Sequence, residues 1–336
     1  MLSAIAAIAL YLCATFYQVL QLRKHPELKV ASLQLVAAIA VALHGYASMQ
    51  WVFTDKGLDF GLLPMTTVIV FVINLIVLIS SVRKPVHNLF LVLFPLAIFT
   101  LAATIFIGST GTLWASVSAP IGAHIFISIL AYSLITIAAF QALLLALQNW
   151  RLRHKRLGHF LRTIPPLQTM ESLLFEVLWA GFGLLTLSLA TGFLFFEDFF
   201  AQHLAHKTVF SLFAWVFFAI LLWGRHVKGW RGNTAIRWTL IGFSAMALAY
   251  WGSNYWHLTQ PIPLISGRSR SNNRVQNTRK LVSRRLANYS KLLHHVRPNK
   301  NMRFFLLWTL LLSGCYSVYL AAYFYYRHSF PALKRP

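Results

Sequence analysis

The sequence contains few charged residues and very few acids. Charged residues make up 11% of its 336 residues, and only seven residues are Asp or Glu, whereas an ordinary soluble domain is about 25% charged. Hydrophobic residues make up 58%, and the mean hydropathy is +0.62. Such a chain cannot cover its apolar surface with water-compatible side chains. We therefore predict a membrane protein with several spanning segments.

Motifs of several common kinds of enzyme are also missing. Cys13 and Cys315 lie far apart in apolar segments. There is no Cys-x-x-Cys pair, which excludes a dithiol reductase, and no Cys-x-x-Cys-His motif, so the chain does not itself carry covalent c-type haem. His-Glu-x-x-His, a P-loop and Gly-x-Ser-x-Gly are absent as well. These absences leave enzymatic activity undecided and favour a protein that is not an enzyme.

What the sequence does contain is a series of long apolar segments. A segment of about 20 apolar residues is long enough to cross a bilayer as a helix. The predicted fold is an all-α transmembrane bundle of eight helices, with a possible ninth at residues 304–326. The eight predicted spans are residues 3–22, 31–53, 61–82, 87–107, 120–148, 173–196, 207–224 and 237–256.

The charges of the loops alternate along the chain. The loops after spans 1, 3, 5 and 7 each contain two to five Lys or Arg residues, whereas the loops after spans 2, 4 and 6 contain almost none. The positive-inside rule places the basic loops in the cytoplasm and both ends of residues 1–257 on the periplasmic side. Because the charges lie in short loops between apolar segments, the net charge of +23 does not indicate a nucleic-acid partner.

The segment after residue 257 breaks this pattern. Residues 258–336 contain 14 Lys or Arg residues and no acid, although the segment after span 8 should be external. Residues 258–302 are rich in Ser, Asn and Arg, which predicts a disordered basic linker. Residues 303–336 are apolar and form either a ninth helix or a segment foreign to the preceding unit. The predicted domains are therefore residues 1–257, the linker and this tail.

Four of the thirteen histidines have positions in which a ligand role must be weighed, and one of them, His226 at the cytoplasmic end of span 7, is expected to be solvated. His44 lies within span 2, where an ionisable residue is costly and by default suggests function; the alternative is a neutral imidazole hydrogen-bonded to a neighbouring helix. His124 begins span 5 and His257 ends span 8, on the same predicted outer side. Such histidines are usually structural, but two imidazoles can hold an iron from opposite sides, as in haem proteins.

Five short segments resemble those of the CcsA-like cytochrome c assembly proteins, in order and spacing over about residues 1–257. The resemblance includes a histidine-led helix, the next helix, a Lys-Thr pair eight residues before a tryptophan, a cytoplasmic loop and the final helix. These segments are His124-Ile-Phe-Ile-Ser-Ile-Leu-Ala-Tyr132, Gly183-Leu-Leu-Thr-Leu-Ser-Leu-Ala-Thr-Gly192, Lys207-Thr208 with Trp215, Lys228-Gly-Trp-Arg-Gly232 and Tyr250-Trp-Gly-Ser-Asn254.

The resemblance implies a haem-handling protein of the bacterial inner membrane, with haem b as the cofactor. His44 resembles the histidine of the family's second helix, and His124 resembles its first periplasmic histidine. As ligands of the haem iron we rank His124 first, His44 second and His257 third. Lys207 would lie near the haem propionates, or is an ordinary lysine that extends to the membrane surface.

The sequence also departs from the family pattern. The family's Trp-Gly-x-x-Trp-x-Trp-Asp stretch is replaced by residues 195–203, and the histidine expected late in span 7 falls on Trp223, with His226 three residues later. His257 comes several residues before the expected second periplasmic histidine. We therefore expect the protein to bind or pass haem at the outer face of the membrane, without haem ligase activity of its own. The expected partners are membrane lipid, haem and another cytochrome-assembly or membrane protein.

Two other functions remain open. The protein could be a non-haem scaffold or regulatory membrane partner that keeps the same fold. A small-solute transporter is disfavoured, because the predicted spans contain few polar residues.

Overall fold

The described part of the computed structural model contains eight α-helices. They are α1 (Leu2–Lys24), α2 (Val30–Val52), α3 (Leu62–Ser81), α4 (Phe90–Ile107), α5 (Ala119–Arg153), α6 (Leu167–Phe195), α7 (Gln202–Lys228) and α8 (Asn233–Thr259). A short 3-10 helix, His87–Leu89, precedes α4. The predicted all-α bundle of eight helices is confirmed.

The structure describes most of the first 259 residues. The described ranges are residues 1–24, 30–108, 113–114, 117–154, 165–195 and 202–259, without the side chains of 21–24, 113, 202–207 and 251–259. By its internal contacts the chain divides into two units, Met1–Asn254 and Tyr255–Pro336. Of the second unit only the end of α8 is described. The predicted linker from residue 260 onward and the apolar tail therefore lie outside the described residues.

Helices α1 to α7 are long and apolar enough to cross a membrane. An α-helix suits the bilayer because it bonds its own backbone N–H and C=O groups where no water can reach them. Helices α1, α5, α7 and α8 extend beyond the predicted spans at both ends, whereas α3 is one residue shorter than its span at each end. The longest, α5, has 35 residues, which corresponds to about 52 Å, more than the roughly 30 Å of hydrocarbon. Its last turn contains Arg151 and Arg153, so α5 extends past the apolar layer.

The helices alternate in direction, which gives the bundle two different ends. We call the end at which α1, α3, α5 and α7 finish the basic side, because Lys24, Lys84, Arg153 and Lys228 lie at or just beyond those helix ends. The other end is called the opposite side. Short connections join the helices at both ends, as expected for antiparallel neighbours.

Helices α1 to α4 pack as a closed group. Helix α1 packs against α2 and α4, and α3 packs against the same two helices. The interior of this group is aromatic and aliphatic: Tyr11, Leu33, Phe90 and Phe94 are fully buried. Each helix therefore buries one side within the group and leaves the remainder for lipid or for other helices.

The second half of the bundle is built on the pair α5 and α6, which share the most extensive helix contact in the described chain. Helix α5 also packs against α3, and α7 packs against α6. Helix α8 contacts α5 through Tyr250 and Tyr132, whose ring centroids are 5.3 Å apart. The Tyr250 hydroxyl lies 3.3 Å from the Thr66 hydroxyl on α3.

A small β-sheet covers part of the opposite side. Strands β1 (Phe53–Thr54), β2 (Gly57–Asp59) and β3 (Leu113–Trp114) pair antiparallel in the order β1-β2-β3. Gly57, the first residue of β2, follows the two-residue turn at 55–56 and has φ of 126°, a conformation that favours glycine. The sheet joins the loops after α2 and α4, so it holds two helix connections together. The sequence analysis did not predict it.

On the basic side, the turn between α7 and α8 is attached to α6 by a carboxylate. Glu171 Oε1 accepts a hydrogen bond from Arg225 Nη1 at 2.9 Å and lies 3.3 Å from Arg231 Nε. Its other oxygen accepts the Gly232 backbone N–H at 3.2 Å. We call Glu171, Arg225, Arg231 and Gly232 the Glu171 clamp. Since α6 begins at Leu167 rather than at the predicted residue 173, Glu171 belongs to this helix.

Candidate functional site

His44 lies at the centre of an aromatic cluster to which each of the first four helices contributes one ring. We define the His44 cluster as Tyr11 of α1, His44 of α2, Phe71 of α3 and Phe94 of α4. The His44 side chain is fully buried. It lies eight residues before the end of α2, about 12 Å inward from the opposite side. The burial of His44 within α2 agrees with its predicted position inside span 2.

One ring nitrogen of His44 is held by a tyrosine. The Tyr11 hydroxyl lies 3.2 Å from His44 Nδ1. The two ring planes are almost perpendicular, at 87°, with centroids 5.9 Å apart. Phe71 contacts the imidazole at 6.1 Å between centroids, and Phe94 packs against Tyr11 at 5.2 Å. The imidazole is therefore fixed by one hydrogen bond and by aromatic contacts.

Gly45 allows this cluster to close. A Cβ atom at this position would lie 2.6 Å from Phe71 Cε2, closer than real carbon contacts. A side chain at residue 45 would therefore displace the Phe71 ring from His44. The glycine acts here through the close approach of a neighbouring ring, which the sequence could not show.

The other ring nitrogen of His44 has no hydrogen-bond partner among the described residues. The backbone of Thr67 lies beside the imidazole, but Nε2 makes no bond of acceptable geometry. The hydroxyl of Ser48, one turn further along α2 and also fully buried, is unpartnered within the same part of the chain. A buried polar group without a partner costs about 1–3 kcal/mol. Nε2 is thus the atom of the His44 cluster that could coordinate a ligand.

His124 lies in a different setting, between α5 and α6. We define the His124 cluster as His124, Ser128, Ser188 and Thr191. The Thr191 hydroxyl lies 3.1 Å from Nδ1, and the Ser128 hydroxyl lies 3.4 Å from Nε2. Ser128 also donates to the His124 carbonyl and lies 2.7 Å from the Ser188 hydroxyl. Both ring nitrogens of the half-buried His124 therefore face hydroxyl groups.

The structure places the two histidines in separate helix groups. His44 contacts α1 and α3, and His124 contacts α6. Their clusters share no residue. The backbones of Lys207 and His257 belong to α7 and α8, but their side chains are outside the described residues. The ligand roles assigned to these four residues therefore stay predictions.

The donor atoms available suit a haem iron better than a free metal ion. Among the described residues, no group of three or more His, Cys, Asp or Glu side chains could hold an ion. A haem iron needs only one or two protein ligands, because the porphyrin supplies the others. The buried, unpartnered Nε2 of His44 in aromatic surroundings meets that requirement. Coordination by His124 would require its Nε2 to leave the 3.4 Å contact with Ser128.

Tyr11 was missed by the sequence analysis. It lies 33 residues from His44, within an apolar helix, and no motif joins the two residues. The signal that could have found it is chemical, because a buried imidazole requires a polar partner and Tyr11 is a polar side chain near the middle of an apolar helix. Ser128 and Thr191 lay within the resembling segments, but they were given no role.

Comparison with known proteins finds a matching family model and similar sequences. The family model described as "Cytochrome C assembly protein" matches residues 31–259. The inner membrane protein YpjD of Escherichia coli K12 is 30% identical over 219 residues, which cover 65% of this chain and 83% of YpjD. The "Uncharacterized 28.8 kDa protein in nifR3-like 5'region" of Azospirillum brasilense is 34% identical over 134 residues, covering 39% of this chain and 49% of that protein. No solved structure matches the chain.

Proposed function

The chain belongs to the cytochrome c assembly protein family, and we propose that it binds haem b within the membrane for cytochrome c assembly. The proposed role is to hold or pass haem, without attaching it covalently to a cytochrome. The replacement of the family's tryptophan-rich stretch by residues 195–203 supports the second half of this proposal. Haem is the cargo in this account, and the protein supplies axial ligands and an apolar environment.

The observation that carries the proposal is the unpartnered Nε2 of His44. A nitrogen buried in an apolar interior without a hydrogen bond is stabilised by any ligand that uses its lone pair. The rings of Tyr11 and Phe71 pack against the imidazole, and such aromatic surroundings suit a flat apolar group. We therefore propose His44 as the first haem ligand to test.

His124 is proposed as the second haem ligand. It lies near the start of α5, at the end of the bundle that we call the opposite side. Its Nδ1 is oriented by Thr191 at 3.1 Å, which resembles the way ligating histidines are held through their second nitrogen. The proposal includes His257 as a weaker candidate and Lys207 as a partner for the haem propionates. Both rest on the sequence.

The experiment that tests the proposed function is an absorption spectrum of detergent-purified protein. Protein expressed in cells supplied with a haem precursor should show a Soret band that survives purification and reduced-state bands of bound haem. The same spectrum should follow when haem is added to protein purified without it. If no preparation binds haem even after such addition, the alternative of a non-haem scaffold or regulatory partner on this fold replaces the proposal.

We also propose the orientation given by the loop charges, in the inner membrane of a bacterium. The name of the relative YpjD supports that membrane. The basic side would face the cytoplasm, and the His124 cluster would lie toward the periplasm. The working unit would be residues 1–257, with 258–302 as a basic linker and 303–336 as an apolar tail.

Reporter fusions test this orientation. A fusion after Arg156 should report the cytoplasm, and a fusion after Asp198 should report the periplasm, because basic loops are retained inside. A fusion after Lys84 is a second cytoplasmic control. The reverse set of locations would overturn the orientation, and the His124 cluster would then face the cytoplasm.

A further inference from the structure

We propose that Tyr11 is the positioning residue for His44, and that its hydroxyl fixes which ring nitrogen meets the haem iron. This inference rests on the proposed function and deepens it. Its basis is the 3.2 Å contact between the Tyr11 hydroxyl and Nδ1, together with the unpartnered Nε2. One nitrogen is held in place, so only the other can take a ligand.

The Tyr11 hydroxyl can serve both protonation patterns of a neutral imidazole. A hydroxyl is both a donor and an acceptor of hydrogen bonds, whereas a backbone carbonyl only accepts. Within the described residues Tyr11 Oη has no hydrogen-bond partner other than His44. When Tyr11 O–H donates to Nδ1, the single proton of the neutral ring lies on Nε2; when Nδ1 carries the proton, Nδ1–H donates to the Tyr11 hydroxyl.

Binding of iron at Nε2 requires that ring proton to lie on Nδ1. Nδ1–H then donates to Tyr11 Oη, and the Tyr11 O–H turns away. The imidazole keeps one proton throughout, which moves from one ring nitrogen to the other, and no proton is gained or lost overall. The Nδ1–Oη contact is therefore kept in both states, so the ring does not need to rotate.

The surrounding rings keep this pair rigid. Phe94 lies against Tyr11 at 5.2 Å, and Phe71 lies against His44 at 6.1 Å. Gly45 leaves room for Phe71 to do so. Ligating histidines are commonly oriented by a hydrogen bond to the second nitrogen, and loss of that bond typically lowers metal affinity by about 10–100-fold. Tyr11 occupies this place in the His44 cluster.

The test is Tyr11→Phe, which removes only the hydroxyl. Tyr250→Phe is the matched control, because that hydroxyl bonds to Thr66 and to the Leu62 carbonyl and Tyr250 is not part of the His44 cluster. In titrations with haem b, Tyr11→Phe should bind about 10–100-fold more weakly than the unsubstituted protein, with a shifted Soret band. Tyr250→Phe should match the unsubstituted protein in both measurements. Thermal unfolding of each variant in detergent checks that both are folded.

A second readout uses the protein without haem. In ¹⁵N-histidine-labelled protein, the difference from a His44→Gln sample identifies the two His44 nitrogens. Tyr11→Phe should shift the Nδ1 resonance, and Tyr250→Phe should not. If Tyr11→Phe leaves both the haem affinity and the Nδ1 resonance unchanged while His44→Ala loses haem, the inference is overturned and the proposed function stands. If His44→Ala keeps its haem, the assignment of His44 fails and the role of Tyr11 fails with it.

Discussion

Replacement of His44 with alanine should remove haem from the purified protein. The substitution deletes the buried nitrogen that has no other partner and opens a cavity among Tyr11, Phe71 and Phe94. Since loss of a supporting hydrogen bond alone costs about 10–100-fold in metal affinity, loss of the ligand should cost more than about 100-fold. The measurement is haem content per protein and the dissociation constant for added haem b.

Three further variants make this result specific. His44→Gln keeps a polar side chain of similar size and should also lose haem, which separates ligation from packing. His154→Ala changes an exposed histidine that lies next to Trp150 at the end of α5, and it should keep full haem content. His124→Ala should shift the spectrum if His124 supplies a second ligand. Full haem content in both His44 variants would remove this residue from the site.

Glu171→Gln should lower the stability of the folded protein more than the loss of the exposed Glu176 ion pair on the same helix. The Glu171 side chain is 15% exposed and that of Arg225 is 26% exposed, so the pair is largely withdrawn from water. Removing one partner of a buried pair leaves an unpaired charge and costs about 3–5 kcal/mol. Because Arg225 keeps some access to water and to the Trp230 carbonyl, we expect about 2–3 kcal/mol. Unfolding in detergent or mixed micelles measures this difference.

Glu176→Gln is the matched control on the same helix. Glu176 pairs with Lys84, but the two side chains are 57% and 40% exposed, and exposed ion pairs contribute about 0–1 kcal/mol. Limited trypsin digestion gives a local readout, since Lys228 and Arg231 flank the clamped turn. Glu171→Gln should be cut there faster than Glu176→Gln. Equal stability and equal cleavage of the two variants would show that the Glu171 clamp does not hold the turn.

The helices could be predicted because membrane burial imposes a simple rule on the sequence. A segment that crosses the bilayer must be apolar and helical, so long apolar segments identify helices directly. The ends could not be predicted in this way. Helix α6 begins at Leu167 rather than at residue 173, and α5 continues to Arg153, because helices extend into the polar region where apolar content no longer marks them.

The sheet and the Glu171 clamp were beyond the sequence analysis for a different reason. Both depend on contacts between segments far apart in the chain: β2 pairs with β3 across more than fifty residues, and Glu171 meets Arg225 and Gly232. Short strands of two or three residues contain too few side chains to show an alternating pattern. A single glutamate near a helix start has no characteristic spacing to its partners.

The histidines illustrate the same limit within the candidate site. The cost of placing an ionisable residue in the membrane singled out His44 without any structural information. The sequence ranked His124 above it, since position in a resembling segment was the only criterion. The contacts supply a second criterion: His44 Nε2 is unpartnered within the described chain, whereas Nδ1 and Nε2 of His124 each face a hydroxyl. Tyr11 could not be found because its role exists only through the packing of α1 against α2.

The most direct test of the central claim is a titration of the purified protein with haem b, followed by absorption. The account predicts saturable uptake with a defined Soret band and defined reduced-state bands, abolished in His44→Ala and retained in His154→Ala. Uptake that does not saturate, or that is identical in unsubstituted protein and His44→Ala, would contradict the claim that this protein binds haem through His44.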